Sequence, residues 1–506
     1  MPKTLKVLIK YLILMSIDKY TERFWDVIVI GHGNAALSAA NAACDRGKSV
    51  LVLEAAPENE FGGNSRYVEV YRAAHRKGEF GHPYDDYTED DYFNDIVTRN
   101  QGDTDRVLAR ILADRSRDMI RWLVAHGVKF AHQTPADKQY DPDMARSGFR
   151  IVGGGMILLH TLLYHFLKSN RGSDRCKVLY NAKVVDIEVE NREFRSVVVN
   201  YNWQSGGKLI KIKGDQLIIA SGSFVANLDR LREIFTKYLG LPLSAVDNIK
   251  IRGFKYNDGI PLFTMVEKYG AATVGDLKLI HAPPQDARAI KFGAGIAMRV
   301  DSVMYGIVIN KYGERFADEG ADFWIKMYSK WGYYTLFQPD QLAFSIFDSK
   351  AWGLFAPTYL PPISANSLEE LVQKLREYGL ENPKRALETI YSYNAACPKG
   401  KKPDYSIHDG LSTVGINPPK SNWAVPIDTP PFYAYPIRPG LTFVYWALKI
   451  DDKARVLHSS GNPFINIYAT GESMFANITR RAYIGGTGIG MGTTFGIIAA
   501  YEGGWP

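Results

Sequence analysis

The sequence predicts an α/β fold built on a parallel sheet, and three observations carry that prediction. An apolar run, Val27 to Ile30, reads as a buried parallel strand. It enters Gly31-His32-Gly33-Asn34-Ala35-Ala36, a G-x-G-x-x-A turn, and an Ala-rich helix follows. A second apolar strand, Val50 to Leu53, ends on Glu54. Strand, glycine turn, helix, strand and terminal acid in this register form a dinucleotide-binding βαβ unit. Gly31 permits the tight turn. Gly33 lets the amides of Asn34, Ala35 and Ala36 approach a pyrophosphate at the helix N-terminus, and Ala36 keeps helix and strand close. Glu54 accepts hydrogen bonds from a ribose hydroxyl.

Phe61-Gly62-Gly63-Asn64-Ser65 follows soon after Glu54. A Gly-Gly-polar turn beyond the ribose acid suits close approach to a flavin, so FAD is expected rather than NAD. Helical periodicity runs from Thr104 to His126, with Thr104 the expected N-cap and Gly127 the stop. Gly153-Gly154-Gly155 precedes a helix from Met156 to Lys168. Val184 to Val189, Val197 to Tyr201 and Leu209 to Ile212 read as separate strands. Leu217 to Ile219 is a further buried strand that opens into Ala220-Ser221-Gly222. Ser367-Leu368-Glu369-Glu370 is a capping box, Gly379 stops its helix, and Asn382-Pro383 starts the next. Pro398 to Pro439 is turn-rich, and from Phe464 the chain returns to strand before a final glycine series, Gly485 to Gly492.

A chain of 506 residues suggests at least two domains, and 46% hydrophobic with 23% charged residues is a globular composition. The net charge of +7 is scattered, with no basic arm, which argues against nucleic acid as a partner. Cys44, Cys176 and Cys397 are the three cysteines, and none forms a C-x-x-C motif. That argues against an in-chain cluster, c-type haem or dithiol pair, and the sparse odd count fits a reducing compartment. The apolar run Tyr11 to Met15 is too short to span a membrane. Residues 1–21 read as a leader with no function assigned, and no metal site is expected.

Separated segments then follow one order: GHGNAA with Glu54, GGNS at Gly62, GGG at Gly153, ASGS at Ala220, NDG at Asn257 and ATGE at Ala469. This order resembles the FAD contacts of the succinate dehydrogenase/fumarate reductase flavoprotein superfamily. Within it the chain most resembles FAD-dependent tricarballylate dehydrogenases, through VLVLEAAPENEFGGNS (50–65), INKYGERFADEGADFW (309–324), WAVPIDTPPFYAYPIRPGLTF (423–443) and RAYIGGTGIGMGTTFG (481–496). The resemblance implies a Rossmann-like FAD-binding domain, residues 22–280 and 441–506, interrupted by an α+β capping domain at 281–440. It also implies cofactor contacts from Gly62, Gly63, Asn64, Ser65, Gly154, Gly155, Ala220, Ser221, Gly222, Asn257 and Asp258. Val185 would offer backbone to adenine, and Gly471 and Glu472 would lie along the ribityl chain. Gly488 and Ile489 would open a helix whose N-terminal dipole stabilises reduced flavin.

Departures from the superfamily pattern shape the expected chemistry. Where covalently flavinylated members carry His after Asn-Ser, this chain has Arg66-Tyr67, so FAD is expected to be non-covalent. Phe323 stands where fumarate-reducing members carry an acid Arg, Tyr483 where they carry a second Arg, and Thr442-Phe443 where they carry paired His. The implied reaction is desaturation of a C–C bond beside a carboxylate, most simply tricarballylate to cis-aconitate. Arg299, Arg438 and His281 are the expected polarising residues. Tyr483 is the expected donor or base, its pKa lowered by the arginines. Tyr445 is a weaker candidate, and Arg252 and Arg288 read as structural or rim residues. Arg481 to Gly485 also resembles the 3-ketosteroid Δ1-dehydrogenases, which makes an enone-type flavin dehydrogenase the rival reading. A flavin-binding structural or sensory subunit is the non-enzymatic one. Without haem or cluster motifs, electrons would leave to O₂, a quinone or a separate electron-transfer protein. The expected location is cytoplasmic, with membrane association through such a partner.

Overall fold

The computed structural model describes residues 17–132, 146–169 and 174–505. Most of the expected leader lies outside these. Residues 17–21 are helical, and Ile17 and Tyr20 are buried in the main core, so this part of the leader belongs to the folded domain.

Strand β1 (Phe24–Ile30) enters helix α1 (Asn34–Asp45), which returns to β2 (Val50–Leu53). Helices α2 (Arg106–Ala125) and α3 (Gly154–Lys168) follow, then β3 (Cys176–Leu179), β4 (Ala182–Glu190), β5 (Glu193–Tyr201) and β6 (Lys208–Ile219). Beyond these lie β7 (Thr273–His281), β8 (Phe432–Leu441), β9 (Phe443–Leu448), β10 (Pro463–Ala469) and helix α4 (Thr487–Ala500).

The largest sheet is parallel through β10-β6-β1-β2-β3. Its register brings Ile30, Leu53, Ile219 and Ala469 level, since Ile30 pairs with both Leu53 and Ile219, and Ile219 with Ala469. Four chain segments therefore leave the sheet at one edge, carrying Gly31, Glu54, Ala220 and Gly471. In open parallel sheets the crevice at these carboxyl ends is where ligands bind.

Two predicted strands, Leu209 to Ile212 and Leu217 to Ile219, are one twelve-residue strand. Its first half alternates exposed and buried residues against antiparallel β5, and its second half is buried between β1 and β10. The change from alternation to an apolar run marks a change of neighbours, not a break. Around β8 a second sheet gathers Ala343–Asp348, Pro284–Asp286 and Ile363–Ala365 antiparallel and Lys250–Ile251 parallel. β8 lies at the end of the stretch read as turn-rich. Pro436 is tolerated there because it supplies its carbonyl, which accepts from Ala287 N–H at 2.8 Å.

Helix α2 is capped by Asp105, whose carboxylate accepts from the amides of Val107 and Leu108 at 3.1 Å. Thr104, the expected cap, instead donates to the carbonyl of Ile478 at 2.7 Å. Ser367 and Asn382 do cap their helices, accepting from Glu370 N–H and Arg385 N–H. The expectation of three reduced thiols is corrected. Cys44 on α1 and Cys176 on β3 form a disulfide across 132 residues, while Cys397 is free and buried. α1 crosses above β2 and its neighbour β3, a proximity that sequence spacing hides. The bond removes the cysteine argument for a reducing compartment. No helix among the described residues is long and apolar enough to cross a membrane.

Candidate active site

A cavity of about 380 Å³ opens at the carboxyl edge of the parallel sheet and reaches His281 and Phe443 on the paired strands β7 and β9. Gly31 opens it with φ +108°, and a Cβ there would lie 2.4 Å from the Ala220 carbonyl. Only glycine keeps β1 and β6 this close while turning the chain away. Gly33, Asn34 and Ala35 line the cavity at the start of α1. The Asn34 amide is already held by Ser65 Oγ at 3.0 Å, and its side chain donates to the Ile489 carbonyl and Thr493 Oγ1. Asn34 thus ties α1 to α4 and leaves later amides for an anion.

Glu54 is buried at the end of β2, where one carboxylate oxygen accepts from Ala56 N–H at 2.7 Å. Burial pushes its pKa up to about 7, against that hydrogen bond. Asn64 bridges two turns: its amide donates to Glu472 Oε1 at 2.6 Å and its carbonyl accepts from Phe254 N–H at 2.7 Å. Burial likewise raises Glu472 to about 7. Asn257 Nδ2, Ser221 Oγ and His281 Nδ1 are buried without a hydrogen-bond partner among the described residues. Buried polar atoms of that kind require partners from a bound group. Glycine turns, the buried carboxyl of Glu54 and unsatisfied polar atoms along one cavity fit FAD.

Gly63, Asn64, Ser65, Ala220, Ser221, Gly222, Asn257, Asp258, Gly471, Glu472, Gly488 and Ile489 all line this cavity. Five expected contacts do not. Ala36 is fully buried in the α1 packing face. Gly62, Gly154 and Gly155 support the Asn64–Ser65 turn from behind. A Cβ on Gly155 would lie 1.9 Å from the Ser65 carbonyl, so α3 seats directly under that turn. Val185 is also displaced, because β4 bulges between Val184 and Asp186. Ala182, Lys183 and Val184 line the cavity in its place.

At the other end stand Arg252, His281, Arg299, Tyr328, Thr442, Phe443 and Tyr483. Arg299 forks onto Asp301 at 2.5 and 2.8 Å, and Trp324 Nε1 donates to the same carboxylate. Arg252 is 8% exposed. It donates to the Gly295 carbonyl at 3.0 Å and Thr442 Oγ1 at 3.3 Å. No carboxylate pairs with it among the described residues. Burial, then the Arg299 charge, lowers its pKa to about 10, so it remains cationic at neutral pH. His281 is 2% exposed and stacks on Phe443 at 4.5 Å. Burial and the two arginines hold its pKa well below the ordinary value, so it is a neutral imidazole.

Two expected catalytic placements change. Arg438 is not part of the cavity wall. From β8 its guanidinium donates to the Asp340 carbonyl at 2.6 Å, because alternation along the strand turns it toward the 339–341 loop. Tyr483 does line the cavity, but its hydroxyl accepts from Gly488 N–H at 3.2 Å, the first turn of α4. Burial raises the phenol pKa rather than lowering it, which disfavours a tyrosinate base. Arg252, expected to be structural or at the rim, is buried on the cavity wall. The signal in sequence was its place five residues before Asn257. Tyr328, brought in by helix Trp324–Leu336, carried none. Arg288 is paired with Asp286 and Tyr445 is buried; neither lines the cavity.

The FAD binding domain family matches this chain across residues 26–489. The chain belongs to that family. It is a flavoprotein of the succinate dehydrogenase/fumarate reductase superfamily and an FAD-dependent oxidoreductase. It is 24% identical over 486 residues to the fumarate reductase (cytochrome) of Shewanella frigidimarina, covering 94% of this chain and 76% of the relative. It is also 24% identical to the NADH:acrylate oxidoreductase of Vibrio harveyi, over 90% of this chain and 48% of that protein. The fold matches the open conformation of a flavocytochrome c3 fumarate reductase with TM-score 0.72 at 20% identity, over 98% of this chain and 80% of the other. The 3-ketosteroid-Δ4-(5α)-dehydrogenase of Rhodococcus jostii RHA1 matches with TM-score 0.67 at 21% identity, over 95% and 96%.

Proposed function

We propose that this flavoprotein desaturates a C–C bond beside a carboxylate, on a small polycarboxylate of the tricarballylate kind. The observation that carries the reading is Arg252, a buried cation on the cavity wall with no carboxylate of its own. A buried charge without a counterion is costly, and an anionic ligand offsets that cost. Arg299 supplies a second positive edge, held rigid by Asp301. Neutral His281 offers a donor or acceptor beside them.

FAD, held non-covalently, supplies the hydride acceptor when bound. Arg66 follows Asn64-Ser65 and donates to the Glu60 and Phe61 carbonyls, so no histidine occupies the position used for covalent attachment. Arg252 and Arg299 fix the substrate carboxylate and stabilise the negative charge that develops beside it as the neighbouring proton passes to the neutral imidazole of His281. Tyr483, as a phenol, anchors the first turn of α4. Phe443 and Phe475 exclude water from one wall. Electrons then pass to a quinone or a separate electron-transfer protein.

Anaerobic bleaching of the flavin by tricarballylate, succinate and a 3-ketosteroid, measured side by side, tests this. Bleaching by tricarballylate supports the proposal. Bleaching by the steroid alone transfers it to enone substrates, for which the charge on Arg252 has no use.

A further inference from the structure

Away from the cavity, three helices end close together. Asp45 is the last residue of α1, His126 caps the C-terminus of α2, and His165 lies in the last turn of α3. One ring nitrogen of each histidine and a carboxylate oxygen of Asp45 lie within 4.8 Å of one another. Helix C-termini carry partial negative charge. Three of them directed at one point, with a carboxylate among them, favour a cation there.

Hydrogen bonding sets the ring tautomers. His126 Nδ1 is 2.8 Å from the Trp122 carbonyl, which can only accept, so Nδ1 carries the hydrogen. Its Nε2 then faces Asp45 Oδ2 at 3.0 Å. A lone pair against a carboxylate is repulsive, and a metal ion shared by Nε2 and Oδ2 relieves that repulsion. Asn41 is fully buried, and its amide nitrogen donates to the Leu37 and Leu162 carbonyls. Its Oδ1 must therefore accept from His165 Nδ1, at 3.1 Å, which leaves the His165 lone pair on Nε2. Both histidines thus donate one nitrogen to an oxygen and free the other, the arrangement by which proteins orient imidazole toward a metal. The His126 ring is 8% exposed and stacks on Trp122 at 3.7 Å. Asp45 is exposed and gives an entry path. The disulfide at neighbouring Cys44 pins the end of α1.

The geometry points to a divalent transition-metal site formed by Asp45, His126 and His165, with solvent completing the coordination. Two imidazoles and one carboxylate suit zinc or a similar ion and not calcium or magnesium, which take oxygen ligands. The ion joins the ends of α1, α2 and α3.

The test uses untagged, FAD-loaded protein stripped with a chelator and titrated calorimetrically with zinc chloride. Wild type is expected to bind about one equivalent, and Asp45→Asn and His165→Gln each to weaken binding by about 10-fold or more. Zinc should raise the melting temperature of wild type and of neither variant. Asp45 is exposed, so its variant keeps the fold, and retained flavin absorbance shows this for both. Absence of zinc binding by wild type overturns the site. Binding unchanged in either variant overturns the three-ligand set.

Discussion

The side-chain amide of Asn64 lies 2.6 Å from Glu472 Oε1 and joins the turn after β2 to the turn after β10. Two carboxyl-edge loops, 408 residues apart, are locked by one hydrogen bond at the centre of the cofactor cavity. Asn64→Ala is expected to reduce FAD retention about 10-fold or more, because it leaves Glu472 buried without its donor. Flavin-to-protein absorbance after gel filtration measures this.

Glu54 and Glu472 both have pKa values raised from 4.5 to about 7 in the folded chain. Folded protein thus holds more protons than unfolded protein between these values, and stability falls as pH rises through that window. FAD-free protein should melt at lower temperature at pH 7 than at pH 5 by more than its Glu54→Gln, Glu472→Gln variant does. Parallel melting curves across that range would show that neither carboxyl is raised.

Arg252→Gln should lower kcat/KM for a carboxylate substrate by roughly two orders of magnitude, as expected when a buried charge loses its partner. Arg438→Gln should change it by less than about threefold, since surface polar contacts contribute little. Steady-state kinetics on both variants, with FAD content checked, separates the two arginines. The reverse ranking would return Arg438 to the site.

Gly31→Ala should yield protein without FAD or without fold. Its Cβ would meet the Ala220 carbonyl at 2.4 Å, and φ is +108°. Strain of this kind costs about 1–3 kcal/mol before any clash. Thermal melting and flavin absorbance read both effects.

Acid precipitation of the holoprotein should release its flavin into the supernatant, because Arg66, not histidine, follows Ser65. A yellow pellet would contradict non-covalent attachment.

Local signals carried far in this chain. The βαβ unit, its glycine turn and Glu54 are contiguous and follow from backbone sterics and hydrophobic periodicity. The capped helices at Ser367 and Asn382 were legible because a cap is a contact over three residues. What failed was non-local. Arg438 and Arg252 are both arginines near expected strands, and only strand alternation and burial sent one to Asp340 and the other into the cavity. Val185 was displaced by a bulge that no residue type announces. Cys44 and Cys176, and likewise Asp45, His126 and His165, meet because α1 packs against α3 and α4 while α2 packs against α4. By itself the sequence determined the FAD-binding unit, since its steric and electrostatic requirements lie within one short segment. Only the tertiary structure decided which cation lines the cavity and which thiols and imidazoles meet, because those depend on distances between segments that the chain order does not contain.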